Sequence, residues 1–140
     1  MKTVAMDIET ESLDPEHIWV ICAEDVDTGD RERFLNVTSI PEERDRFVDY
    51  LKGCEYFVFH NGIGFDVKVI NKLLGNIMPT DKVIDTLIVS RLVQYDMKDQ
   101  DEKMRKKLLA KYKKESLVEK EFPRRMINRH SLASWGCRRG

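Results

Sequence analysis

Two acidic residues stand two apart at the end of a short apolar run, in Asp7-Ile8-Glu9-Thr10, and a third, Asp66, closes the segment His60-Asn61-Gly62-Ile63-Gly64-Phe65-Asp66. On a strand, side chains at i and i+2 point to one face, so Asp7 and Glu9 project together. A carboxylate from a distant segment can then complete a set of hard oxygen ligands, the type that Mg²⁺ or Mn²⁺ prefers. Such a set suits phosphodiester hydrolysis, which needs an activated water and positive charge to hold the leaving alkoxide. Two divalent ions about 3.5–4 Å apart supply both. Clustered carboxylates gather the ions against their mutual repulsion, and the ions keep neighbouring carboxylates ionised. Spacing alone does not single out this chemistry, because an Asp-x-Glu after a strand also describes an ordinary exposed strand end.

The pattern around these residues supplies elements that would position them. Thr3 to Ile8 reads as a strand with Val4, Met6 and Ile8 on one side. His17 to Val26 is a second strand, Asp27-Thr28-Gly29-Asp30 a turn by residue type, and Arg31 to Val37 a third strand. Short connections make these an antiparallel meander. Pro41 opens a helix striped by Phe47, Val48 and Leu51, with Gly53 where it stops. Tyr56-Phe57-Val58-Phe59 reads as a buried strand, parallel to the first because a helix leads into it. Asp66 precedes an amphipathic helix carrying Val67, Ile70, Leu73 and Leu74, which ends at Gly75. Val83-Ile84 forms a brief strand before Asp85, read as the N-cap of a helix with Leu87, Ile88 and Leu92. Phe122-Pro123 is a break, and Ser131 to Trp135 a last short helix with Gly136 near its end. The expected fold is α/β: one domain over residues 1–140, a mixed sheet covered by helices.

Charge divides the chain. Residues 1–102 hold 22 acidic and 11 basic residues, a net −11, whereas 103–140 hold 3 acidic and 13 basic, a net +10. Residues 96–125 read as a basic helical or mobile insertion, since Lys103 to Lys114 carries seven basic residues and no acid. That asymmetry suits a polyanion partner, with Lys106, Lys107, Lys113 and Lys114 as candidate nucleic-acid contacts; a solvated, salt-bridged helix is the other reading. Cys22, Cys54 and Cys137 are odd in number and widely spaced, which argues against a disulfide framework or a zinc site. No apolar stretch approaches the ~18–20 residues that span a bilayer, and the N-terminus lacks the apolar region of a signal peptide, so an intracellular chain without membrane partners is expected.

Several motifs together carry a family resemblance. Asp7-Ile8-Glu9-Thr10-Glu11-Ser12-Leu13-Asp14 resembles the first motif of the DEDD-type 3′–5′ exonucleases, which have an RNase H-like fold. His60-Asn61-Gly62 through Phe65-Asp66 resembles their second motif, and Val83 to Leu92 the segment that follows it. His130-Ser131-Leu132-Ala133-Ser134-Trp135-Gly136 further resembles the N-terminal proofreading domain of phage-type family-A DNA polymerases. The resemblance runs from about Thr3 to Gly140, in the family's order.

It implies an RNase H-like mixed sheet, antiparallel meander plus parallel strands, flanked by helices. It implies that Asp7, Glu9 and Asp66 are catalytic metal ligands for Mg²⁺ or Mn²⁺. Thr10, Leu13, Asn61 and Phe65 match substrate-side positions, with Leu13 wedging against the terminal base. The implied substrate is a single-stranded or frayed DNA 3′ end, the partner a DNA polymerase domain or a complementing downstream polypeptide, and the setting the cytoplasm of a phage-infected bacterium. The family's third motif adds a fourth carboxylate, with a Tyr or His four residues earlier, on a later helix. No Asp or Glu follows Glu121, so the expectation is the N-terminal part of a proofreading exonuclease domain, incomplete as this chain alone. The alternative is a non-catalytic module of the same fold that binds nucleic acid or a polymerase.

Overall fold

Strand β1 (Thr3–Thr10) buries Val4, Met6 and Ile8 and turns Ala5, Asp7 and Glu9 to the other side, the alternation a half-buried strand requires. The computed structural model describes residues 2–139, without the side chains of Leu132, Ser134 and Arg139. Strands β2 (Ile18–Asp25) and β3 (Arg31–Leu35) continue β1 as an antiparallel meander, while β4 (Tyr56–Phe59) and β5 (Val83–Asp85) add in parallel. The sheet order is β3-β2-β1-β4-β5, mixed as the resemblance implied.

In β2, Ile18 and Ile21 both face the core although they stand three positions apart. Glu9 pairs with Val20 but Thr10 pairs with Ile18, so Trp19 is an extra, unpaired residue at a bulge that resets the alternation. At the far end of β2 the Asp25 carboxylate accepts the Asp27 and Thr28 N–H groups, and Gly29 takes φ 77°, closing the turn into β3.

Helices α1 (Pro41–Lys52) and α2 (Asp66–Leu74) give the sheet its core. Phe47 and Leu51 of α1 and Val67, Ile70 and Leu74 of α2 join Val4, Ile21, Phe34, Phe57 and Phe59 in one buried cluster. Edge strand β3 is closed to further pairing by α1: Glu43 accepts the Leu35 N–H at 2.9 Å, and Arg46 donates to the Arg33 carbonyl. Long unpaired edges invite association, and these two side chains occupy this one.

The chain folds as two compact units, the sheet and its helices up to Thr86 and a helical unit from Leu87 on. The second unit contains α3 (Thr86–Val93, which begins at the boundary), α4 (Met97–Tyr112), α5 (Glu115–Glu121) and α6 (Leu132–Arg139). Gly136 lies inside α6, which runs past the expected end at Trp135. Among the described residues of this unit, Met97, Val118 and Phe122 are buried together with Asp101 and Arg105. Asp101, 2% exposed, accepts from Arg138 Nε (2.7 Å), Arg138 Nη2 (2.6 Å) and the Asn128 N–H (2.8 Å). Arg105 reaches the Phe122 carbonyl, Glu115 and Glu119. Its interior is therefore as much ionic as apolar.

Removing one member of a buried pair strands the other's charge and typically costs about 3–5 kcal/mol. Asp101→Asn is expected to lower the opening free energy of amides in α4–α6 by that order in native-state hydrogen exchange. A change no larger than that of an exposed pair, under about 1 kcal/mol, would show that Asp101 does not organise this unit.

Candidate metal centre at the end of the first strand

The parallel ladder between β1 and β4 ends at Ala5 paired with Val58, whereas the ladder to β2 runs on to Thr10. β1 therefore overshoots β4 by several residues, and the Ile8 N–H lies in the overshoot. Asp66 Oδ1 accepts that N–H at 3.3 Å. The contact brings the Asp66 carboxylate against the strand between Asp7 and Glu9.

Asp66 is the first residue of α2 and reaches β1 because the turn before it is tight. Asn61 takes the left-handed conformation (φ 68°), and its carbonyl accepts both the Gly64 and Phe65 N–H groups at 3.0 Å. A Cβ on Gly62 would sit 2.2 Å from the Phe59 Cβ, so no side chain fits there, and one on Gly64 would sit 2.5 Å from Asn61 Oδ1 and have to displace the Asn61 side chain. From β5, the Asp85 carboxylate accepts the Asn61 and Ile63 N–H groups, each at 3.0 Å. Asp85, read from sequence as a helix cap, thus also holds the turn that delivers Asp66.

Asp66 is 6% exposed and its carboxyl is pushed up to about 6. Burial is the main cause, and the negative charges of Asp7 and Asp85 add to it; N–H donors, Ile8 among them, work the other way. Asp7 and Glu9 are exposed. Among the described residues, no three His, Cys, Asp or Glu side chains are already arranged to enclose an ion. The donor chemistry nevertheless fits a hard divalent cation: three carboxylates, two of them exposed on one strand face and the third held beside them.

The other residues singled out from sequence fall into distinct settings. Leu13 is 91% exposed at the tip of the loop after β1, so it is no core residue. Glu11 holds that loop by accepting the Glu16 and His17 N–H groups at 2.6 and 3.0 Å, and Lys72 of α2 pairs with Asp14 at 2.6 Å. Thr10 Oγ1 donates to the Ser12 carbonyl at 3.0 Å. Phe65 is half-buried and packs on the core, and Asn61 is exposed within its turn. Lys106, Lys107, Lys113 and Lys114 are all exposed and belong to the second unit.

Sequence reasoning passed over His60 as a site residue. Thr86 Oγ1 donates to the Phe59 carbonyl at 3.1 Å and lies 3.0 Å from His60 Nδ1. His60 stands one residue past the end of β4. Asp85 and Thr86, the residues that brace this corner, come from β5 and the start of α3. Only the parallel register of β4 with β5 reveals them.

A model of the RNase H superfamily matches residues 4–99, and the chain belongs to that superfamily. DNA-directed DNA polymerases of Escherichia phage T7 and Enterobacteria phage T3 are each 32% identical to it over 89 residues, 59% of this chain. The match covers 11% of the length of those relatives. The chain thus contains an RNase H-superfamily, nuclease-like domain and has partial similarity to phage DNA polymerases.

In the metal-free protein Asp66 keeps its proton up to about pH 6, whereas in the unfolded chain it loses it near pH ~4. The folded state binds more protons inside that window, so this residue's contribution to stability falls as pH rises from about 4 to 6, by up to about 3 kcal/mol, then levels. Asp66→Asn keeps an acceptor for the Ile8 N–H and removes the charge. The stability of the variant relative to wild type, from denaturant unfolding in EDTA, is expected to increase across that window. A difference independent of pH would show that Asp66 is not held in this environment.

Proposed function

We propose that this domain carries out metal-dependent 3′–5′ exonucleolytic hydrolysis of DNA, removing the terminal nucleotide of a single-stranded or frayed end as a nucleoside monophosphate. The observation that carries the reading is the Asp66 carboxylate seated on β1 between Asp7 and Glu9, in a superfamily of nucleases.

Asp7, Glu9 and Asp66 would hold Mg²⁺ or Mn²⁺, which when bound supply an activated water and charge compensation for the leaving alkoxide. The exposed Asp7 and Glu9 carboxylates would receive the cation, and its charge would favour the ionised form of Asp66, whose proton would pass to solvent. The backbone anchor of Asp66 at Ile8 keeps that oxygen in place as the charge develops. Thr10, Asn61 and Phe65 lie on the substrate side, and the exposed Leu13, on a loop braced by Glu11 and Lys72, wedges against the terminal base. Contacts of this type read backbone and stacking rather than base edges, which suits removal of any 3′ nucleotide. Similarity to two phage DNA polymerases supports a polymerase as the partner and proofreading as the role.

A second reading is a non-catalytic module of the same fold that binds nucleic acid or a polymerase. One observation favours it: among the described residues, no three ligand-type side chains already enclose an ion.

The test is degradation of 5′-labelled single-stranded DNA with Mn²⁺, by the chain alone and with a downstream polypeptide that adds a further carboxylate. The chain alone is expected to degrade the DNA little or not at all. The supplemented protein is expected to shorten the DNA stepwise from its 3′ end, and Asp7→Ala with Glu9→Ala should abolish this. No shortening in either form would favour the non-catalytic module, and shortening that survives the double substitution would remove these carboxylates from the mechanism.

A further inference from the structure

Every acidic residue in 103–140 is already engaged. Glu115 binds Arg105 and Arg124, Glu119 binds Arg105 and the Arg124 N–H, and Glu121 accepts the Tyr112 hydroxyl. Just before this stretch, Asp101 is spent on Arg138. These pairs draw on arginines, whose planar forks suit partly buried carboxylates. The lysines are left over. Lys103, Lys106, Lys107, Lys113 and Lys114 are all exposed, and none lies within ion-pair distance of an acid among the described residues.

Helical geometry groups the first three. Successive residues turn by about 100°, so Lys103, Lys106 and Lys107 project from the side of α4 away from buried Met97, Asp101 and Arg105. Asp99 and Glu102 stand one turn before Lys103 and Lys106, yet no ion pair forms there among the described residues. Lys103, Lys107 and Lys111 follow one another at four-residue spacing, an arrangement that repels itself by a few tenths of a kcal/mol per pair. Lys113 occupies the left-handed position that ends α4 (φ 55°), where glycine is favoured. The free protein thus carries a lysine-rich face without close ion pairs, among the described residues, on a helix with little apolar support.

We propose that this lysine face, Lys103, Lys106 and Lys107 of α4 with Lys113 and Lys114 just beyond it, is a docking surface for a nucleic-acid backbone. The helical part, Lys103 to Lys111, covers about 12 Å at 1.5 Å per residue. Along a duplex axis that length spans three or four phosphates of one strand, at about 3.4 Å each. Lysines meet phosphates as point charges and form no bidentate base contacts, so the surface holds DNA without reading its sequence. The choice of ligand rests on the exonuclease reading; the charge imbalance does not.

The experiment is fluorescence anisotropy with labelled single-stranded and duplex oligonucleotides over a range of salt, in EDTA so that nothing is cleaved. Binding by wild type should weaken steeply with salt. Replacing Lys106, Lys107, Lys113 and Lys114 together by Gln should make the slope of log K against log salt shallower by about 3 on single strands and about 4 on duplex. The corresponding four Lys→Arg replacements should keep the wild-type slope, which separates charge from folding. A Gln variant with the wild-type slope overturns the proposal, as does an Arg variant that loses it. So does binding to phosphatidylserine vesicles that exceeds binding to DNA and is lost in the Gln variant. Because cleavage is not measured, a failed exonuclease assay leaves this result standing, and a failed binding assay leaves the carboxylate chemistry to be judged by its own test.

Discussion

The hydrogen bond from the Ile8 N–H to Asp66 is the constraint on which the rest of the site depends. β1 must extend beyond its parallel neighbour for Asp7 and Glu9 to stand clear of the sheet's interior. A strand that does so leaves amides without partners, and a buried unpaired amide is costly. The Asp66 carboxylate meets one of these amides, and doing so buries it against the strand that carries Asp7 and Glu9. Burial first, and then the charge of Asp7, raises its proton affinity, which a nearby cation would lower again.

Supporting this contact takes residues from three further places. Gly62 and Gly64 allow a turn tight enough to start α2 against β1. Asp85, two strands away from β1, fixes two amides of that turn. The buried aromatic residues Phe57 and Phe59 of β4 lie directly before it and anchor it in the core. The site is thus set by packing of the parallel half of the sheet, while the antiparallel half contributes a bulge at Trp19 and a protected edge.

Much of this architecture was legible in the residues. Alternation in Thr3–Ile8, Pro41 at a helix start, the short apolar run Tyr56–Phe59 and the amphipathic stretch after Asp66 each correspond to an element. Local patterning suffices there because one buried face dictates the period. Asp85 and Thr86 were not legible as braces, since their roles follow from pairing between segments over 20 residues apart. The bulge at Trp19 was hidden within a continuous apolar run. In the second unit, composition announced positive charge but not its division, in which arginines neutralise the acids and lysines face outward. That division needs coordinates, because Arg105 and Lys106 are neighbours in sequence with opposite fates.

Crystals of the protein soaked in Mn²⁺ and measured for anomalous scattering test the central claim most directly. The account predicts a peak at about 2.0–2.6 Å from carboxylate oxygens of Asp7 or Glu9 together with Asp66, at the end of β1. An ordered site with these three carboxylates unoccupied at saturating Mn²⁺, or with Asp66 turned away from Ile8 and more than roughly 10 Å from Asp7, would contradict it.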